Sequence, residues 1–161
     1  MKIISNELGD GLFTLYVGEF CHVTRNDGGH IRIRANRKEV KSFEDLDATE
    51  LAALGGVMQL ASEALKYALT KNGIVIGRVN VQINGNWSDL YRTEPSFCVH
   101  VYGRAYDAQK QPFGQSLSFP SPRENPDFYA GNEPLTDADI EELTHFIVRA
   151  NQQQRSLPLA P

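Results

Sequence analysis

The chain has 161 residues, of which 41% are hydrophobic and 22% charged, and this balance is typical of one globular domain spanning residues 1–161 rather than of a disordered or fibrous chain. The formal net charge of −4 argues against a protein that binds duplex nucleic acid, because such proteins normally present a basic face. No apolar run approaches the ~20 residues of a membrane span, and the N-terminus lacks the apolar stretch of a secretory signal. We therefore expect a cytoplasmic protein without membrane contact. In that compartment its two cysteines are expected to be free thiols.

Short strands are predicted near the start of the chain. Residues 11–17 and 19–24 are rich in β-branched and aromatic side chains and flank Gly18, which predicts an initial hairpin. The turn-forming run Asn26–Gly29 comes next and is followed by a strand at His30–Arg34.

The His30–Arg34 strand lies within a basic stretch. Ile31 and Ile33 are expected to face the core, so that His30 and the arginines share the opposite face. Residues 25–41 contain six basic residues against two acidic ones. Such a stretch is either a contact surface for an anion or an ordinary solvated edge.

One long helix is predicted from Ala48 to Thr70. Asp47 can cap its first turn, and Glu50 stands at the third helical position, which is the pattern of a capping box. Apolar residues recur every three or four positions and predict one buried stripe: Leu51, Leu54, Met58, Ala61, Leu65 and Leu69. The pair Gly55–Gly56 is costly inside a helix and is expected where another backbone packs closely.

The second half of the chain contains two further predicted strands. Ile74–Ile83 is β-rich and is followed by the turn Asn84–Asn86. The next strand is Ser96–Arg104, along which polar and reactive residues alternate with apolar ones. The polar and reactive side chains should lie on one face of the strand, with neighbours about 6.6 Å apart. They are Ser96, Cys98, His100 and Tyr102.

A proline-rich extension at about 106–134 separates this strand from a C-terminal helix. Residues 112–132 contain too many prolines for a central strand, so we expect an ordered surface loop. The helix is predicted at about 137–153 with Thr136 as its cap and a fraying tail. Its buried residues are expected to be Ile140, Leu143, Phe146 and Ile147.

Two long segments of the sequence resemble the histidine-triad (HIT) pattern. The first reads GGHIRIRANRKEVKSFEDLDATELAAL, and the second contains VNVQINGN followed by TEPSFCVHVYGRA. The extension after YGRA is similar to one found in some bacterial HIT-like proteins. The resemblance covers about residues 29–105 and implies an α+β HIT-like fold: an antiparallel sheet of about five strands, one long helix after the His30 strand, and a C-terminal helix.

The resemblance also implies a site with a degenerate triad. In HIT proteins three alternating histidines line one strand, and the middle one attacks the α-phosphorus of a nucleotide. Here His100 matches the third histidine, whereas Ser96 stands in the first place and Cys98 in the nucleophile's place. The remaining positions are matched by an earlier strand histidine, a turn asparagine, a phosphate-contacting threonine and an arginine where glutamine is usual: His30, Asn84, Thr93 and Arg92.

The substitution at Cys98 determines what chemistry is possible. A cysteine is a nucleophile only as a thiolate, and His100 and Arg92 are the neighbours expected to lower its pKa. Apart from the resemblance to HIT proteins, each of these residues has an ordinary structural explanation. Cys98 can simply fill space in the core, His100 can be a hydrogen-bonded core histidine, and His30 and Asn84 can be turn residues. Four scattered histidines with no acidic partner at ligand spacing argue against a zinc site.

Three functions are compatible with this sequence. The first is a hydrolase or nucleotidyl transferase acting on purine nucleotides or related nucleoside phosphates, with Cys98 or a water replacing the histidine. The second is a nucleotide-binding module without turnover, and the third is a structural or partner-binding protein. No cofactor is expected, and HIT-like proteins of this kind are commonly homodimers, which here would use the long helix and its neighbouring strand.

Overall fold

Five strands form one antiparallel sheet in the structure, a computed structural model that describes residues 1–83, 88 and 92–156. The strands are β1 (Lys2–Glu7), β2 (Phe13–Val17), β3 (His30–Ala35), β4 (Ile76–Ile83) and β5 (Val99–Ala105). Their order across the sheet is β1-β2-β3-β5-β4, and all four adjacent pairs are antiparallel. The predicted α+β fold with a sheet of about five strands is confirmed.

Two long helices form a layer on one side of this sheet. The helices whose bounds fall within the described residues are α1 (Leu8–Gly11), α2 (Ala48–Lys71), α3 (Pro126–Tyr129) and α4 (Asp137–Ser156), with 3-10 turns at Arg25–Asp27 and Phe43–Asp45. Helix α2 packs against α4 and against β3, β4 and β5, while α4 also contacts β1. Within the described ranges, no helix combines the length and the apolar character that a membrane crossing requires.

The predicted start of α2 is confirmed in detail. Asp47 Oδ1 accepts hydrogen bonds from the backbone N–H groups of Thr49 and Glu50, and the Glu50 carboxylate accepts one from the backbone of Asp47. Arg37 donates two further bonds to Glu50. Of the predicted stripe, Leu54, Ala61, Leu65 and Leu69 are buried, Met58 is partly buried, and Leu51 is exposed.

The sheet has one apolar and one polar face. Phe13, Leu15, Ile31, Ile33, Val99 and Val101 are each fully buried and form the core with the helices. The inward orientation predicted for Ile31 and Ile33 is therefore confirmed. The opposite face carries the polar side chains of β2, β3 and β5, and the candidate site lies there.

The predicted hairpin at residues 11–24 is wrong in its second strand. Residues 19–24 form no strand, and several of their acceptor groups bond to the end of the extension. The Asn132 side chain donates to the carbonyl oxygens of Cys21 and His22, and the backbone N–H of Glu133 donates to the Thr24 hydroxyl. The true antiparallel partners of β2 are β1 and β3.

One boundary of a strand and one of a helix differ clearly from the predicted ones. Strand β5 begins at Val99 rather than Ser96, and α4 continues to Ser156. The long extension is an irregular segment that contains α3. Gly55–Gly56 has open space around both positions, so no other backbone of the described chain packs on the pair.

Two buried charges hold the extension against the sheet. Asp27 accepts hydrogen bonds of 2.8 Å from each of three consecutive backbone N–H groups, those of Gln109, Lys110 and Gln111. Arg104 donates to the carbonyl oxygens of Gln111, Pro112 and Gln115. Carboxylates and guanidinium groups that bond several backbone groups at once fix a loop more firmly than neutral side chains do. The extension is thereby fixed next to the polar face.

Candidate functional site

Strand register places the functional side chains side by side on the polar face. His30 of β3 lies opposite Tyr102 of β5, and Arg32 lies opposite His100. Arg32 is also opposite Tyr16 of β2. Directly paired residues on one face of an antiparallel sheet have neighbouring side chains, so these five residues form one continuous polar surface.

Three histidines cluster at the centre of this surface. His30 Nε2 and His100 Nδ1 are 3.0 Å apart, within hydrogen-bond distance. His22, from the irregular segment after β2, lies against both, with ring centroids 5.0 Å from His30 and 5.5 Å from His100. One ring nitrogen from each of the three lies within 4.8 Å of the others. The fold therefore brings together histidines that are far apart in the sequence, and their separation along the chain is no argument against a metal site for these three.

Aromatic side chains surround the histidine cluster. Tyr102 stacks on His30, and its hydroxyl is 3.0 Å from His22 Nδ1. Phe20 and Phe119 contact the His22 ring from the irregular segment and from the extension. This aromatic shell leaves the histidines almost fully buried.

Burial keeps the three imidazoles neutral. Removal from water, followed by the nearby positive charge of Arg32, lowers the pKa of His22 to about 3 and that of His100 to about 4. The same two causes hold the pKa of His30 well below its usual value. At neutral pH each ring therefore offers one N–H donor and one nitrogen lone pair.

Cys98 lies one residue before β5 and is partly buried. Its Sγ is 3.6 Å from the hydroxyl of Tyr16. Burial raises the pKa of the Cys98 thiol, and this effect outweighs the hydrogen bond from Tyr16 and the charge of Arg32, both of which lower it. The expected lowering of this pKa by His100 and Arg92 is not found, so Cys98 is a protonated thiol at neutral pH.

Two adjoining cavities flank the segment Ser96–Cys98. One has a volume of about 400 Å³ and is lined by Cys98, Phe43 and Ile83 among others. The other has a volume of about 450 Å³ and is lined by Tyr16 and several basic residues. Lys41, Ser96 and Phe97 line both. We call this continuous depression the 96–98 groove.

Comparison with known proteins identifies the fold. No protein-family model matches the sequence, and no curated protein matches it. Among solved structures, a zinc-bound histidine triad family protein from Mycobacterium smegmatis is similar over 94% of this chain and 86% of its own, with a TM-score of 0.55 and 17% identity. A hypothetical histidine triad nucleotide-binding protein from Sulfolobus tokodaii is similar over 95% and 85%, with a TM-score of 0.55 and 14% identity.

A third similar structure points the same way. It is a Hit-like protein involved in cell-cycle regulation from Bartonella henselae, similar over 90% of this chain and 86% of that one, with a TM-score of 0.54 and 12% identity. The chain has the histidine-triad fold. The helix and strand order implied by the sequence resemblance is therefore the observed one.

The histidine-triad fold brings only some of the predicted site residues together. His30 and His100 are in contact, and Cys98 and Ser96 line the 96–98 groove. Arg92 and Thr93 are exposed on the segment that leads into β5. Asn84 lies outside the described residues. The roles of these residues remain predictions.

Sequence reasoning missed His22 as part of the site. The predicted strand at 19–24 left this residue without a role, whereas in the histidine-triad fold observed here it sits on His30 and His100. A clue was present in the sequence, because His22 precedes His30 by eight residues across a glycine-rich turn. Such a turn can bring the ends of the segment together on one face.

Proposed function

We propose that the protein binds a nucleoside phosphate, such as a purine nucleotide, in the 96–98 groove. The observation that supports this proposal is the position of the basic stretch. Its residues Arg34, Lys38 and Lys41 line the groove beside Ser96 and the thiol of Cys98. Ligand sites of this kind commonly have volumes of about 300–1,000 Å³, and each of the two cavities falls in this range.

The described lining of the groove has four basic side chains and one carboxylate, that of Glu44, and this balance favours a phosphate chain. Arg37 is neutralised by its two bonds to Glu50, but among the described residues no carboxylate is within ion-pair distance of Arg34, Lys38 or Lys41. Cations without a carboxylate partner at a concave surface attract phosphate, and lysine and arginine are its usual ligands. Phe43 and Ile83 add an apolar wall suited to a base or sugar.

Two versions of this function differ in turnover. In one, the protein turns its ligand over: a water attacks the phosphorus directly and gives hydrolysis, or Cys98 attacks it and passes the nucleotidyl group on to water or to another acceptor. In the other it binds nucleotide without turnover. The raised pKa of the Cys98 thiol argues against attack by the thiol, because a protonated thiol is a poor nucleophile at neutral pH. A reaction with water and binding without turnover are both compatible with it.

Calorimetric titration with AMP, ADP and GMP tests the binding proposal. We expect dissociation constants between micromolar and millimolar, or about 4 to 8 kcal/mol. Lys41→Gln should weaken binding about tenfold, as expected for loss of one charge-assisted contact. Lys66→Gln, a change at an exposed lysine of α2, is the matched control and should bind like the wild type. Absence of heat with every nucleotide would contradict the proposal.

Turnover assays separate the two versions. Nucleoside phosphoramidates and dinucleoside polyphosphates are incubated with the wild type, Cys98→Ala and Cys98→His. Full activity of Cys98→Ala would show that a water, not the thiol, is the nucleophile. Activity of Cys98→His alone would show that the natural protein is a binding module.

We also propose that the protein forms a homodimer through α2 and β4. Strand β4 is at one edge of the described sheet, and its Val81 and Ile83 are about two-fifths exposed. Together with Met58 of α2 they line an apolar depression of about 510 Å³. Exposed apolar edge strands are commonly covered by a partner. Light scattering should give a dimer for the wild type and a monomer for Val81→Glu; a monomeric wild type contradicts this.

A further inference from the structure

We propose that His22, His30 and His100 form a binding site for a divalent transition metal ion, of which Zn²⁺ is the best-suited example. Imidazole nitrogen is a favoured ligand for zinc, and three protein ligands with an open fourth position are the usual donor set of a reactive zinc site. The proposal does not depend on nucleotide binding, because it rests on a different set of contacts.

The spacing of the rings supports one shared ion. The three ring centroids form a nearly equilateral triangle with sides of 5.0, 5.2 and 5.5 Å. Its centre lies about 3 Å from each centroid, and an imidazole nitrogen turned towards that point would be about 2 Å from it, the usual Zn–N distance. His30 Nε2 and His100 Nδ1 are 3.0 Å apart, close to the separation of about 3.3 Å between two nitrogens of a tetrahedral zinc site.

Binding requires the rings of His30 and His100, whose nitrogens now face each other, to turn towards the centre of the triangle. The hydrogen bond between His30 and His100 gives way to two metal bonds, and its proton moves to the other nitrogen of the ring that carried it. His22 lies on an irregular segment rather than in a strand, so it can shift without breaking a ladder hydrogen bond. Its ligand atom is then Nε2, provided that Nδ1 carries the proton.

Tyr102 is the residue that orients His22. Its hydroxyl is 3.0 Å from His22 Nδ1, so Nδ1–H can donate to it, and in that tautomer Nε2 is the ring atom that carries the lone pair. Metal-bound histidines usually donate their other N–H to such an outer partner, which fixes the tautomer and the ring orientation. Tyr102 is a positioning residue in this proposal and does not touch the ion.

Arg32 determines what completes the coordination. Its Nε is 3.5 Å from His30 Nε2, so a positive charge already lies at the edge of the proposed site. This charge repels a bare dication, and an anionic fourth ligand reduces the repulsion because it lowers the net charge of the bound ion. We therefore expect the fourth ligand to be hydroxide, chloride or a phosphate oxygen.

The first experiment measures metal binding to the full chain after dialysis against a chelator. Titration with ZnSO₄ should show one ion per chain, and Co²⁺ should give the intense visible absorption of a four-coordinate site. His22→Ala should weaken Zn²⁺ binding at least about 100-fold, since loss of even an outer-shell partner costs about 10–100-fold. The matched control is His145→Ala, which changes an exposed histidine of α4 and should leave affinity unchanged.

Circular dichroism shows whether each variant is folded, and only folded variants are compared with the wild type in Zn²⁺ affinity. Should His22→Ala be unfolded, Tyr102→Phe becomes the deciding variant, because it keeps the ring and removes only the hydroxyl; it should weaken Zn²⁺ binding about tenfold. No binding by the wild type, or wild-type affinity in the folded deciding variant, would overturn the proposal. Lys41→Gln should bind Zn²⁺ normally, which keeps failure of the metal site distinguishable from failure of the nucleotide site.

Discussion

Replacing Asp27 by asparagine tests how the extension is held over the site. The Asp27 side chain is buried, with Oδ1 accepting from Gln109 N–H and Oδ2 accepting from both Lys110 and Gln111 N–H. Asparagine has only one acceptor oxygen, so at least one backbone N–H loses its partner and faces an NH₂ group. A hydrogen bond to a charged group is worth about 1.5–3 kcal/mol, and the remaining bonds become neutral. The expected loss of unfolding free energy is about 3 kcal/mol.

Urea unfolding followed by circular dichroism gives this free energy, and hydrogen exchange of the amides at 109–111 should accelerate in Asp27→Asn. Asp107→Asn changes an exposed carboxylate in the same segment and should stay within about 0.5 kcal/mol of the wild type. If Asp27→Asn costs no more than Asp107→Asn, the three backbone bonds do not fix the extension and the reasoning is wrong.

Further predictions concern the neutral histidines, the thiol and a close backbone contact. Burial and Arg32 hold the pKa of His100 at about 4, so between pH ~6.5 and 4 the unfolded chain binds a proton at this residue and the folded chain does not. The free energy of unfolding should therefore fall by about 1.4 kcal/mol for each pH unit below ~6.5. Urea unfolding at several pH values checks this, and a constant free energy below pH ~6.5 would contradict it. Cys98 should react with iodoacetamide at pH 7.5 more slowly than glutathione does, as followed by mass spectrometry, since burial raises its pKa; a faster reaction would show an activated thiol. Gly103→Ala should lower the free energy of urea unfolding by about 3 kcal/mol or more, because a Cβ there would overlap the backbone carbonyl of Gly28. Gly55→Ala in α2, where a Cβ meets open space, should instead stabilise by up to about 1 kcal/mol. Equal effects of the two variants would show that Gly103 and Gly28 are not in close contact.

The sequence predicts best where local chemistry determines the structure. Helix α2 was located to within one residue at its end because Asp47 and Glu50 form a capping box and the apolar spacing is helical. Strand β1 was missed, since KIISNE shows little alternation and its register depends on pairing with β2. Residues 19–24 look like a strand by composition, but Cys21 and Thr24 accept hydrogen bonds from Asn132 and Glu133, more than 100 residues away.

The candidate site shows the same limit. The face shared by His30 and Arg32, and that shared by His100 and Tyr102, follow from alternation alone. Their convergence with His22 depends on the β3–β5 pairing and on the irregular segment, neither of which has a local signal. The sequence does not predict the raised pKa of Cys98 either, because burial rather than neighbouring charge determines its direction.

The order of the strands has a consequence for synthesis on the ribosome. Strand β5 lies between β3 and β4 although it is the last of the five to be made. Until residues 99–105 have left the exit tunnel, both neighbouring strands lack their central partner, and their unpaired N–H and C=O groups can pair with other chains. A nascent chain stalled shortly before Val99 should therefore bind chaperones or aggregate, whereas one that includes the whole strand should resist protease.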